Sequence, residues 1–299
     1  MIYFGARFQS TFMSPQLLAL ITSVSYAGAL VCSRLGLRYS TPTTVTLISI
    51  LIQNLVLWTA VFALTGLPAV AGISVGLFCI AGVFQLGVRL LAYTGVLKIG
   101  ASRSSALQSI NPLISATIAI LVLDESVTAL ILAGTLLVVA GIILVSWKAE
   151  RELPSFRWWY LLIPIGAAIL TGVNHPLRRY ALSLSNEPLF FSAFMGLITL
   201  ITFAGYMSIS SAEARLVWDR RALLPFLCTG IFETFSIMLI LRALSIGPVV
   251  VIAPIACTYP VWSLIGAKLF LRNVETITLK DAIGILSVVG GTVAIHLAR

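Results

Sequence analysis

The chain has 299 residues, of which 59% are hydrophobic and only 10% charged, and its mean hydropathy is +1.06. A soluble domain carries about 25% charged residues, so this composition excludes one and predicts an all-α integral membrane protein. The net charge of +9 does not mark a nucleic-acid binder, because Lys and Arg fall singly or in pairs at the ends of apolar runs, where they set membrane topology.

At about 20 apolar residues per crossing, the chain accommodates ten transmembrane helices. Residues 1–13 form a semi-polar tail, and Met1 and Met13 both fit as the start. Ser14 and Pro15 make a helix start of capping hydroxyl and first-turn proline, so the first apolar run is a span and not a cleaved signal peptide. The second span runs from Pro42 to Leu64 and stops at the Gly66, Leu67, Pro68 breaker. The third covers about 70–97, and the fourth Ala101 to Leu123 with Pro112 near its middle. An acidic turn, Asp124 and Glu125, precedes the fifth, which ends at Trp147. Residues 148–157 form a polar linker containing Glu150, Arg151, Glu152 and Pro154. Five further spans follow at about 158–182, 189–209, 222–246, 248–271 and 277–297. Cys32, Cys79, Cys228 and Cys257 lie inside apolar runs without close-spaced pairs, and read as small core residues.

The chain writes one stretch twice. Gly100, Pro112, Glu125, Thr128, Gly134 and Gly141 are matched in order by Gly247, Pro260, Glu275, Thr278, Gly284 and Gly291, with identical spacing from the glutamate onward. Gly28, Arg34 and Pro42 likewise match Gly172, Arg178 and Pro188. The expectation is therefore a tandem duplication, 14–147 and 158–299, of five helices each. An odd number of crossings turns the halves over relative to one another, giving two inverted five-helix repeats with a solute site near the midplane.

Thirteen of the 19 Lys and Arg residues fall in loops after odd-numbered spans, against five on the other side. By the positive-inside rule both termini lie outside.

Ten spans in two halves, each closing on a kinked helix, a short acidic turn and a glycine-bearing helix, resemble the EamA-type branch of the drug/metabolite transporter superfamily. The resemblance implies export or exchange of amino acids, related metabolites or drugs by alternating access, with spans three, four, eight and nine lining the cavity. It implies a cell-membrane location, the inner membrane in a bacterium, and termini inside, against the charge count. The unequal polarity of spans four and nine departs from the family pattern.

An ionisable side chain at membrane depth costs about 2.5–3.5 kcal/mol on insertion scales, so two residues stand out. Glu233 lies mid-span with Thr229 and Ser236 on its face, and Arg89 has Gln85 and Tyr93 four residues to either side. Family architecture puts both helices beside the cavity, where they can pair. In span four, Ser104, Gln108, Asn111 and Ser115 recur at helical spacing as one polar stripe. Pro112 leaves the Gln108 carbonyl without its helical donor, a feature suited to a polar ligand. Span nine offers Tyr259 and Trp262, for stacking or core packing.

The expected solute-binding residues are Gln85, Arg89, Tyr93, Ser104, Gln108, Asn111, Tyr259 and Trp262. Glu233 and His175 are the proton-coupling candidates; His175 sits in what reads as a polar break formed by Asn174, His175 and Pro176. Gly134, Gly141, Gly284 and Gly291 read as close helix packing. Expected partners are a small solute, the bilayer and protons, without cofactor, metal or nucleic acid. A membrane-embedded enzyme on lipid-linked substrates and a passive channel stay open as alternatives. The enzyme lacks a paired-histidine, aspartate-rich or nucleophile-elbow motif.

Overall fold

The computed structural model describes residues 13–99, 101–146, 157–209, 216–270 and 279–298. The linker at 148–156, Glu275, Thr278 and the tail at 1–12 lie outside the described residues.

Helix starts follow local chemistry. The Ser14 hydroxyl accepts from the Leu17 N–H at 3.2 Å and Pro15 opens α1 (Pro15–Gly36). Thr41 caps α2 (Pro42–Leu64) in the same way through Thr44. Gly66, at φ +67°, ends α2 in a left-handed turn that a side chain would strain. Helix α3 (Gly72–Ile99) is followed by α4 (Ala101–Gln108), α5 (Asn111–Leu123) and α6 (Ala129–Ser146). After a 3-10 turn at Trp158–Leu161 come α7 (Leu162–Leu184), α8 (Pro188–Ile209), α9 (Arg220–Ile246), α10 (Val249–Ala256), α11 (Tyr259–Phe270) and α12 (Leu279–Leu297). The described residues hold helices and no strand.

Seven of the helical segments are long and apolar enough to cross a membrane, counting Ser104–Leu123 as one, and three shorter apolar ones cover Ala129–Val145, Val249–Ile265 and Ala282–Leu297. Large apolar side chains such as Leu55, Leu64, Leu121 and Leu286 stand exposed on the outer surface, as hydrocarbon contact requires.

Span four is not one helix with a proline near its middle. It breaks at Ser109 and Ile110, and span nine breaks at Cys257 and Thr258, so each is two half-helices. The expected break at Asn174, His175 and Pro176 is absent, because α7 runs unbroken through Pro176. Proline leaves the carbonyl four residues earlier without a donor. Side chains supply it: Ser115 Oγ donates to the Gly172 carbonyl at 3.0 Å, and Asn111 Nδ2 donates to that of Gln108 at 2.8 Å. The Gln108 carbonyl expected to wait for a ligand is thus occupied.

The halves interlock reciprocally. Helix α1 packs on α9 as α7 packs on α3, α2 lies against α8, and α6 lies along α12. At the last contact a Cβ on Gly134 would fall 2.7 Å from the Gly291 carbonyl oxygen, and one on Gly141 2.6 Å from that of Gly284. The repeated glycines hold this backbone-to-backbone crossing. Asp124, left-handed at φ 51°, turns the chain after α5. The Glu125 carboxylate then accepts from the Val249 and Val250 N–H groups at 2.9 and 3.0 Å. The first half thereby caps the N-terminus of α10 in the second.

Gly291→Val should lower the melting temperature in detergent by the equivalent of about 1–3 kcal/mol of overpacking. The adjacent Gly290→Val, with open space at its Cβ, should be close to neutral. Equal melting of the two would remove the close crossing as a determinant of stability.

Candidate functional site

The α3 and α9 helices bring opposite charges together. Arg89 on α3 is only 2% exposed and Glu233 on α9 only 4%. Their Nη2 and Oε2 atoms lie 3.4 Å apart. The rest of the guanidinium is held by α2: Nη1 donates to Ser49 Oγ at 3.1 Å and Nη2 to Gln53 Oε1 at 2.6 Å. On the other side the Tyr93 hydroxyl donates to Glu233 Oε1 at 2.6 Å, the length of a charge-assisted bond. Gln53 is fixed in turn through its Nε2, which donates to the Ser192 carbonyl at 3.3 Å.

Next to this cluster is a cavity of about 110 Å³, several times the ~10–15 Å³ that one water needs. Gln85 and Arg89 of α3 line it, together with Gln108 and Asn111 at the α4–α5 break and Cys257 and Tyr259 at the α10–α11 break. From α7 come Asn174, His175 and Arg178, and from α9 Glu233, Ser236, Ile237 and Ile240. Tyr26 of α1 completes the wall, edge-on to Tyr259 at 4.8 Å between ring centroids. Both broken spans and both halves therefore meet at one polar space, where irregular backbone is shielded from lipid.

Of the residues expected from sequence, Gln85, Arg89, Gln108, Asn111, Tyr259, Glu233 and His175 line this cavity. Tyr93 and Ser104 stand one step behind it, Tyr93 on Glu233 and Ser104 accepting from Gln108 Nε2 at 3.1 Å. Trp262 does not line it; its ring packs on the hydrophobic core. The stripe from Ser104 to Ser115 does not face one space either, because the break resets the helical register after Gln108 and Ser115 turns to α7.

Sequence reasoning missed Arg178 and Tyr26. Arg178, one of the five Lys and Arg residues assigned to the loops of the minority side, lies inside α7, is only 4% exposed, and donates from Nη2 to Gln85 Oε1 at 2.5 Å. A signal was present: Asn174, His175 and Arg178 are spaced to share one helical face. Asn111 Oδ1, Asn174 Oδ1, His175 Nδ1 and the Nε atoms of both arginines are buried without a protein partner.

A duplicated helical membrane protein whose interrupted helices meet at a buried polar cavity is built as a membrane transporter. The chain belongs to the EamA-like transporter family, whose model matches residues 13–147 and 157–297, and so to the drug/metabolite transporter superfamily; it is a multi-pass membrane protein. It is similar to a solved structure described only as "Crystal structure of protein", with a TM-score of 0.76 at 16% identity, covering 95% of this chain and 97% of that one. That likeness bears on fold alone. No curated protein sequence matches the chain.

Removing one partner of a buried ion pair costs about 3–5 kcal/mol, whereas replacing both with apolar residues is often neutral. Arg89→Met and Glu233→Leu should each lower the melting temperature of the detergent-purified protein, and the double variant should recover most of the loss. Additive losses would show that the two are not energetically coupled.

Proposed function

We propose that the protein is a secondary transporter of small organic solutes such as amino acids or related metabolites, acting as exporter or exchanger in the cell membrane, the inner membrane in a bacterium. On this reading the three shorter apolar segments also cross the bilayer, giving ten crossings. Residues 14–147 and 158–299 are then two inverted five-helix units, joined by the linker at 148–157. The observation that carries the reading is the cavity itself. It lies where the broken α4–α5 and α10–α11 helices, one from each half, approach α3, α7 and α9. A buried space with unpartnered polar atoms is a poor structural core and a good solute chamber.

Alternating access would come from rocking one half against the other, with the solute held by Gln85, Arg89, Gln108, Asn111 and Tyr259. Tyr93 and Ser104 support that wall, and Trp262 acts through the core. Glu233 suits proton coupling because its charge is answered by two groups on α3, Arg89 and Tyr93. Protonation would remove the charge that holds Arg89 and weaken the bond from Tyr93, loosening α3 from α9. His175, beside the same space on α7, is the second candidate.

Uptake of labelled amino acids and related organic acids into liposomes bearing the purified protein, with and without an imposed pH gradient, tests this. Saturable uptake that responds to the gradient is expected. Glu233→Gln should lose the pH response while keeping solute exchange, and pH-driven uptake by that variant would remove Glu233 from coupling. No uptake of any solute by folded protein would overturn the transporter reading.

A further inference from the structure

The cavity is lined by two guanidinium groups and one carboxylate, and the carboxylate is not shared between them. The charge of Glu233 is answered by Arg89, whose Nη2 lies 3.4 Å from Oε2 as an ion pair without a hydrogen bond, while Oε1 accepts from Tyr93. Among the described residues Arg178, on α7, hydrogen-bonds only the neutral Gln85 Oε1 at 2.5 Å, and its Nε has no partner. Among the described residues no carboxylate pairs with it. A guanidinium exposed to only 4% with no counter-ion is costly to hold inside a membrane protein. A static link between α3 and α7 needs no such charge, since a neutral amide opposite Gln85 would make it.

Beyond the ion-paired Arg89 and Glu233, whose Nε and Oε2 also lack a hydrogen bond, the remaining unpaired groups facing this space are neutral. Asn111 and Asn174 have their amide nitrogens turned to the carbonyls of Gln108 and Ala81, at 2.8 and 3.3 Å, which leaves each Oδ1 as an acceptor without a donor. These oxygens suit a hydroxyl or amide N–H. No second carboxylate lines the cavity to answer an ammonium.

We propose that Arg178 anchors the carboxylate of the transported solute, and that the solute is a small organic monoanion whose other polar group is neutral, such as a 2-hydroxy acid, in preference to the zwitterionic amino acid of the same shape. The proposal rests on the transporter reading above and narrows its substrate class. The planar fork of an arginine matches a carboxylate in two parallel hydrogen bonds, and one bound negative charge cancels the one uncompensated positive charge.

The test is thermal melting of the detergent-purified full chain with matched pairs at equal ionic strength: lactate against alanine, 2-hydroxy-4-methylpentanoate against leucine, and phenyllactate against phenylalanine, with inorganic phosphate as a further arm. The hydroxy acids should stabilise the wild type and the amino acids and phosphate should not. Arg178→Gln should weaken hydroxy-acid binding about tenfold or more, Arg178→Lys should keep part of it, and ligand-free Arg178→Gln should melt no lower than wild type. Four results would each overturn the proposal: amino acids or phosphate stabilising equally, no stabilisation by any hydroxy acid, unchanged binding in Arg178→Gln, or a large drop in ligand-free melting or failure to fold, which would mark Arg178 as a strut. Liposome flux separates this from the underlying reading. Arg178-dependent binding without flux would sink transport and leave the anion site, whereas flux indifferent to Arg178 would do the reverse.

Discussion

The Arg89 guanidinium has to be surrounded by oxygens, and much of the interior is arranged to do it. A charge at membrane depth is tolerated only with partners or water, and Arg89 finds its partners on α2 and α9, drawing those helices against α3. Each partner is itself tied. Gln53 reaches across to the Ser192 carbonyl of α8, and Glu233 takes the Tyr93 hydroxyl. Two helices of the first half and one of the second thus converge on one side chain, and the other half answers through α8. Without that convergence the polar cavity beside it would lose its ion-paired wall and keep only the Arg178 guanidinium.

The same rule, that nothing polar is left to lipid, explains why two spans are broken and a third, with its own proline, is not. At Pro112 and Pro176 a carbonyl loses its helical donor, and in each case a side chain of the broken α4–α5 span supplies one, Asn111 to Gln108 and Ser115 to Gly172. The second of these bonds runs between helices, so the proline of α7 becomes a docking point for α5. In the second half Thr258 has a comparable part at its break, donating to the Ile255 carbonyl at 2.8 Å and meeting Ser23 of α1 at 3.0 Å. The breaks are therefore pinned to neighbouring helices, which lets unwound backbone border a cavity.

Hydropathy and spacing made the membrane class, the duplication and most helix limits legible, because apolar length and capping residues such as Ser14, Pro15 and Thr41 are local properties of the chain. The glycine crossing of α6 and α12 was legible for a related reason: paired close approach demands glycine at both ends, and the spacing repeats. What the sequence hid is set by tertiary contacts. The polar stripe of span four assumed one continuous helix, and a two-residue break was enough to aim Ser115 elsewhere. Trp262 looked like a cavity ring because it lies three residues from Tyr259, but the turn before α11 sends only Tyr259 inward.

Arg178 shows how a duplication that preserves packing lets chemistry diverge. In the first half the matching Arg34 lies in the last turn of α1, which ends two residues later at Gly36. In the second half α7 continues past Arg178 to Leu184, so the equivalent arginine lies inside the helix instead of at its mouth. The reciprocal packing of α1 on α9 and α7 on α3 is kept in both halves, and the two helices are nearly equal in length. What changes is burial: Arg34 stays half-buried, while Arg178 is carried into the polar space between the halves. The placement of one arginine along helices of nearly equal length, 22 and 23 residues, is thus sufficient to turn a terminal charge into a cavity charge, and with it to make one half of a pseudo-symmetric protein chemically unlike the other.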